Sequence, residues 1–151
     1  MNRQVRQDAR FEEPDPELDR HASDVIRACV EVHRVLGPGY LESIYERALA
    51  VELQYRGIEF ERQVPIGLYY RGEAIGEHRL DFLVRKRLVV ELKAVETLLD
   101  VHKVQVRSYL KAREERLALL INFNSPLLLK GVRRIIWTPD LASWRTWRFI
   151  I

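Results

Sequence analysis

The chain has 151 residues, 47% of them hydrophobic, which is enough for one domain with a single core and too little for two independent ones. A formal charge of +3 does not by itself announce nucleic-acid binding, and a single cysteine, Cys29, excludes an internal disulfide framework and any multi-cysteine zinc or iron–sulfur site. With a polar start and no run near the roughly 18 apolar residues of a membrane span, the composition predicts a soluble, cytoplasmic protein without a membrane partner.

Residues 1–20 are charged, carry Pro14 and Pro16 and lack periodicity, so they read as a mobile or loosely docked arm ahead of one domain over 21–151. Acidic residues dominate Glu12–Asp24, whereas Arg85–Arg87, Lys103–Arg113 and Lys130–Arg148 are basic, which predicts a locally positive face. From Ser23, a suitable N-cap, apolar residues recur at Val25, Ile26, Cys29, Val30, His33 and Leu36, a helix ending at Gly37. Cys29 on that stripe is a core residue. His33 belongs at the core boundary, and the histidines at 21, 33, 78 and 102 lack the close pairing of a zinc site.

Gly37-Pro38-Gly39 breaks the chain, and a second helix runs to about Arg56 with Gly57 as its stop. It is not a phosphate loop, because no strand enters it and no Gly-Lys-Ser/Thr follows. Its apolar arc takes in Leu41, Ile44, Tyr45, Ala48, Leu49, Val51, Leu53 and Tyr55. Glu42 lies at the edge of that arc, Glu46 further out, and Glu52 within it. Such a carboxylate can reach a neighbouring sheet, or simply favour the helix N-terminus as a first-turn acid; geometry does not choose among the three.

Glu59–Pro65 and Gly67–Arg71 read as short extended segments, Arg71-Gly72-Glu73 as a turn, and Ile75–Val84 as a strand. The apolar run to Val84 and the run Leu88–Leu92 flank Arg85-Lys86-Arg87, the pattern of a hairpin. On it sit Asp81, Glu91 and Lys93, charges that a buried strand avoids unless something compensates them. Alternation puts Glu91 and Lys93 on one face, with Asp81 able to stand opposite Glu91. Two carboxylates and an ammonium fit a divalent-metal site; they fit a buried salt-bridge triad as well.

Asp100 can cap a helix over Val101–Arg113, on which Gln105 lies beside Val101, Ser108 and Ala112 on the inner arc, as a site residue or as a buried amide satisfied by backbone. Lys103, Arg107 and Lys111 form a stripe elsewhere on it, for phosphates or for solvent. Leu117–Phe123 reads as an inner strand and Val132–Trp137 as another, so a helix joins two strands and the sheet is mixed. The end, Trp144-Arg145-Thr146-Trp147-Arg148-Phe149-Ile150-Ile151, fits an edge strand or a self-association surface, and through it a homo-oligomer.

The pattern Asp81…Glu91-Leu92-Lys93 resembles the signature of the PD-(D/E)xK nuclease-like superfamily, with Leu80 where its name has Pro. Gly39-Tyr40-Leu41-Glu42-Ser43-Ile44-Tyr45 resembles the Gly-x-x-Glu-x-x-Tyr motif of the GxxExxY family within it. Glu61-Arg62-Gln63-Val64-Pro65, Val90–Val95 and Leu120-Ile121-Asn122-Phe123 match in family order, and Gln105…Tyr109 resembles the Gln-x-x-x-Tyr element of exonuclease-like branches. The resemblance implies an α/β fold with a central mixed β-sheet flanked by helices, and Mg²⁺- or Mn²⁺-dependent hydrolysis of phosphodiesters in DNA. Asp81, Glu91, the Leu92 carbonyl and Glu42 would hold the metal, Lys93 would position the attacking water, and Gln105 would help arrange the site. Lys103, Arg107, Lys111, Tyr45 and Tyr109 would meet nucleic acid, Tyr45 alternatively serving as a packing or hydrogen-bonding partner. A non-catalytic nucleic-acid-binding or protein-interaction module that keeps the fold is the rival from another class.

Overall fold

In the computed structural model, which describes residues 15–139, five strands form one sheet in the order β1-β2-β3-β4-β5. Helix α1 (Pro16–Leu36) begins two turns before the expected Ser23. Asp15 caps it by accepting the Leu18 N–H at 2.8 Å, and Pro16 occupies the first turn, where its missing donor costs nothing and its fixed φ suits a helix. The arm expected over residues 1–20 is thus helical from Pro16; residues 1–14 lie outside the described residues, as does the segment Trp144–Ile151 expected as an edge strand or self-association surface.

Helix α2 (Glu42–Tyr55) packs by Tyr45, Leu49, Ala50 and Leu53. Val51 and Tyr55, expected on its apolar arc, are 68% and 86% exposed, because at about 100° per residue they fall on the side of the helix away from Tyr45, Leu49, Ala50 and Leu53. Strand β1 (Phe60–Tyr70) is one element where two were expected, and it turns through Arg71-Gly72 into β2 (Glu73–Val84). Both turn residues have positive φ, 50° and 80°, the geometry that matches a hairpin's twist.

Strand β2 pairs antiparallel with β3 (Leu88–Lys93), whose parallel neighbour β4 (Leu117–Asn122) is reached through helix α3 (Asp100–Arg113). A 3-10 turn (Leu128–Gly131) then leads into β5 (Val132–Ile136), antiparallel to β4. Gly131 has to be glycine, since a Cβ there would stand 2.5 Å from the Asn122 carbonyl oxygen. The N-terminus of α3 is closed by His102 Nδ1, which accepts the Leu99 N–H at 3.0 Å, while Asp100, expected as its cap, is the first helical residue and pairs with Lys103 at 3.6 Å.

Helices α1 and α2 cover one face of the sheet, with Cys29, Leu49, Phe82, Val90 and Ile121 in that core. Helix α3 covers the other with Val106 and Leu110 against Leu83, Val89 and Leu120. Covered on both faces, β3 and β4 are buried almost throughout, which is why they read as continuous apolar runs. The expected architecture, an α/β fold with a central mixed sheet flanked by helices, is the one observed.

Candidate active site

The β2–β3 ladder runs from Val84–Leu88 to Phe82–Val90 and stops; the next pair in register is Asp81 and Glu91. On the other side of β2, the β1 ladder skips the position opposite Asp81, where Gln63 holds a left-handed φ of 52°. That conformation costs a non-glycine residue about 1–2 kcal/mol. It directs the Gln63 amide to Glu46 on α2, at 2.7 Å. Leu80 and Phe82, two apart on β2, belong to different cores, so the regular alternation of the strand is interrupted at Asp81.

Carboxylates occupy the gap where backbone pairing stops. Asp81 Oδ2 accepts the Leu92 N–H at 2.8 Å, and Glu91 Oε1 accepts the Asp81 N–H at 3.3 Å. Glu91 is 5% exposed, and its carboxyl is pushed up to about 9 by burial first and by the Asp81 charge second. Burial also raises Asp81, to about 6, with Glu42 and Glu46 adding to the rise while the Leu92 N–H and Lys93 oppose it. Glu42, exposed as a residue, has its carboxyl partly desolvated and raised, with Lys93 opposing the rise and Glu46 adding to it. Lys93 is thus the cation felt by Asp81, Glu91 and Glu42 alike, and its ammonium forms no ion pair within 4 Å among the described residues. Burial is the first cause of the rise in all three acids, and the Lys93 charge opposes it in each.

Two devices locate the remaining members. Tyr45 donates to the Gly37 carbonyl at 2.6 Å and accepts the Tyr40 N–H at 3.1 Å, tying the loop before α2 so that Glu42 opens the helix beside Lys93. Its ring stacks on Phe123 at 4.7 Å and is wholly buried, so Tyr45 is a packing and hydrogen-bonding residue and not a nucleic-acid contact, which corrects that expectation. Asn122, also buried, brackets Val95 by donating to its carbonyl at 2.8 Å and accepting its N–H at 3.0 Å, and the Phe123 N–H donates to the Lys93 carbonyl. The chain leaving β3 is therefore braced on β4 directly behind Lys93.

Gln105 is exposed, not on the inner arc, because Val106 and Leu110 take that place. It lies one turn before Tyr109 on the same flank of α3. Tyr109 stacks on His78 with centroids 3.7 Å apart and planes 10° apart, and His78 Nε2 lies 3.4 Å from Glu91 Oε1. At roughly 100° per residue, Lys103, Arg107 and Lys111 fall on the opposite flank. There Lys103 and Arg107 line a cleft of about 240 Å³ with Val104, Arg134, Ile135 and Ile136. The positive face expected at Arg85–Arg87 is neutralised by α1: Arg85 meets Asp24 and His21 Nδ1, both at 2.8 Å, and Arg87 meets Asp15. Gln63, Asn122 and His78 were not singled out by residue type. Gln63 and Asn122 lie within segments that match the family in order but were given no role, and the three-residue spacing from Asp81 carries no signal for His78.

A family model described as the PD-(D/E)XK nuclease superfamily matches residues 19–135. The chain belongs to that superfamily. Among solved structures, the crystal structure of SSO0001 shares the fold at 20% identity and a TM-score of 0.52, over 85% of this chain. The chain spans 65% of the length of SSO0001. No curated protein matches the sequence significantly. Asp81, Glu91 and Lys93 lie within the matched residues. None of the described helices is long and apolar enough to cross a membrane.

Superfamily members typically use divalent metals, and the donor set here suits a hard cation. Asp81 and Glu91 are largely desolvated acids whose carboxyls are raised by burial first, and a cation beside them would offset that desolvation and their mutual repulsion. Among the described residues no three acidic, imidazole or thiol groups are gathered closely enough to hold an ion by themselves. Backbone and substrate oxygens would have to complete such a shell.

Proposed function

We propose that this protein is a metal-dependent nuclease that hydrolyses phosphodiester bonds in DNA, and that it belongs to the GxxExxY branch of its superfamily. The observation that carries the reading is the meeting of Asp81 and Glu91 where the β2–β3 ladder stops, with Asp81 Oδ2 on the Leu92 N–H at 2.8 Å, Glu91 5% exposed, and burial raising both carboxyls beside Lys93. A folded chain keeps two unpaired acids in that condition at a cost in stability, and perturbed acids clustered beside a cation mark functional sites. The branch assignment is supported by the Gly37–Tyr45 brace, which gives Glu42 and Tyr45 distinct and complementary parts.

Asp81, Glu91 and the Leu92 carbonyl would hold Mg²⁺ or Mn²⁺, with Glu42 the further carboxylate that the family motif adds; the structure does not gather it with the other two around one point. When bound, the cation would neutralise charge on the scissile phosphate and lower the pKa of attacking water. Lys93 donates hydrogen bonds and so orients the oxygen of that water toward phosphorus, then steadies negative charge that develops as the ester oxygen departs. Water adds to phosphorus, the P–O ester bond breaks, one proton of the water passes through solvent to the departing oxygen, and the products are a phosphate monoester and a free hydroxyl. Gln105 and Tyr109 stand on the flank of α3 next to Glu91, where a strand entering the site would pass them.

Incubation of the protein with end-labelled single- and double-stranded DNA, with Mn²⁺ or with chelator, tests the proposal. Cleavage that requires the ion and disappears in Asp81→Asn supports it. DNA binding without cleavage by either protein would favour a binding module that keeps the fold.

A further inference from the structure

His78 is the one imidazole in contact with the acid pair. It sits on β2 opposite Ile66, three residues before Asp81, and its Nε2 lies 3.4 Å from Glu91 Oε1. Its ring is half-buried and stacked on Tyr109 in near-parallel planes, 3.7 Å between centroids. Stacking on a side chain anchored to α3 removes the rotational freedom that an isolated surface histidine keeps. The imidazole therefore presents one nitrogen to one carboxylate oxygen from a plane set by another element.

We infer that His78 is a positioning residue for Glu91: its Nε2–H holds Oε1, Tyr109 holds the ring, and the second Glu91 oxygen is left to a divalent cation. The inference rests on the proposed metal-dependent reading of the site. A carboxylate on a cation has no hydrogen to give, so the hydrogen in this contact belongs to Nε2. Backbone donation from Asp81 to the same Oε1 completes its hydrogen bonding, and both donors approach one oxygen only. Glu91 is thus held by one oxygen in the manner of ligating carboxylates whose outer partners fix their orientation.

The test is Mn²⁺ binding by the full chain, measured by calorimetry and by the electron-paramagnetic signal of free Mn²⁺, with melting of the metal-free protein run in parallel. His78→Ala weakens Mn²⁺ binding by about 10–100-fold, the usual loss when an outer partner of a ligand is removed. His78→Gln, whose amide nitrogen can stand where Nε2 stood, recovers most of that loss. Tyr109→Phe keeps the stack and the affinity, whereas Tyr109→Leu loses part of it. In a Glu91→Gln background, His78→Ala has no further effect. Unchanged Mn²⁺ affinity in His78→Ala, with only the metal-free melting temperature lowered, would overturn the inference and leave His78 a packing residue. A wild type that binds no Mn²⁺ would overturn the metal-dependent reading itself, and this inference with it.

Discussion

The two ends of the β2–β3 hairpin carry charged side chains and treat them in opposite ways. At the turn, Arg85 and Arg87 find Asp24, Asp15 and Glu17 on the first turns of α1, and Arg87 with the Leu18 N–H holds the Asp15 carboxyl below the usual carboxylate range. At the open end, within ten residues, Asp81 and Glu91 share Lys93 among themselves and Glu42, and both are pushed up. Every carboxylate at the turn has an arginine within reach in a partly solvated place, so pairing there costs little and contributes modestly. At the open end, burial withholds water and the chain supplies one ammonium for several acids. Matched charge fastens the N-terminal helix to the sheet; unmatched charge stores a demand for a cation.

The largest expected effect is on catalysis. Loss of either acid removes several kcal/mol of transition-state stabilisation, so Asp81→Asn and Glu91→Gln each lower Mn²⁺-dependent DNA cleavage by about three orders of magnitude, and Lys93→Ala comes close to that. Arg87→Ala, at the matched end, leaves the cleavage rate near wild type. Single-turnover rates on one labelled substrate measure all four, and an active Glu91→Gln would erase the distinction between the ends.

Stability reverses the order. Without metal, Glu91→Gln matches the protonated side chain in shape and removes the linkage penalty, so it melts no lower than wild type at pH 7.5 and gains on the order of 1–3 kcal/mol. A structural ion-pair cluster predicts the opposite, a loss of about 3–5 kcal/mol on stranding Lys93. Mn²⁺ at a hundredfold excess over Kd stabilises wild type by about 2.7 kcal/mol, and Glu91→Gln loses most of that response.

The pH dependence separates the ends by sign. Asp81 and Glu91 are raised on folding, so the native state binds more protons than the unfolded chain, and metal-free stability falls as pH climbs from the ordinary carboxylate range through about 6 and on to about 9. Asp15 is lowered, so its contribution is present above the ordinary carboxylate range and disappears as pH falls through its depressed value. Denaturation midpoints from pH 3 to 9 should therefore fall at both extremes, with Glu91→Gln flattening only the alkaline limb.

The smallest effect concerns the basic stripe. Because Lys103, Arg107 and Lys111 lie on the flank of α3 away from Tyr109, neutralising all three lowers the salt-dependence slope of DNA binding by less than about one unit, against about three if each met a phosphate. A drop near three units would place DNA across α3 and enlarge the binding surface beyond the acid pair.

Much of this was legible in the residues themselves. Strands β3 and β4 announce their burial by unbroken apolar runs, the crossover follows from a helix between them, and the facing of Asp81 and Glu91 follows from the length of the Arg85–Arg87 turn. Local chemistry was enough there, because period and turn length are properties of a few adjacent residues. The start of α1 was local too, in Asp15-Pro16, but charge and missing periodicity made residues 1–20 read as a mobile or loosely docked arm, because a proline marks a loop as readily as the first turn of a helix. What only the tertiary structure decided is which charges meet. Acidic Asp24 and Asp15 neutralise Arg85 and Arg87, 61 and 72 residues away, Gln63 opens the ladder beside Asp81 by a backbone strain that no propensity foretells, and His78 meets Glu91 while stacked on a ring that α3 provides. Sequence spacing orders residues along a line, whereas desolvation and Coulomb interaction depend on distances through space; the raised acids at Asp81 and Glu91 exist only once both faces of the sheet are covered.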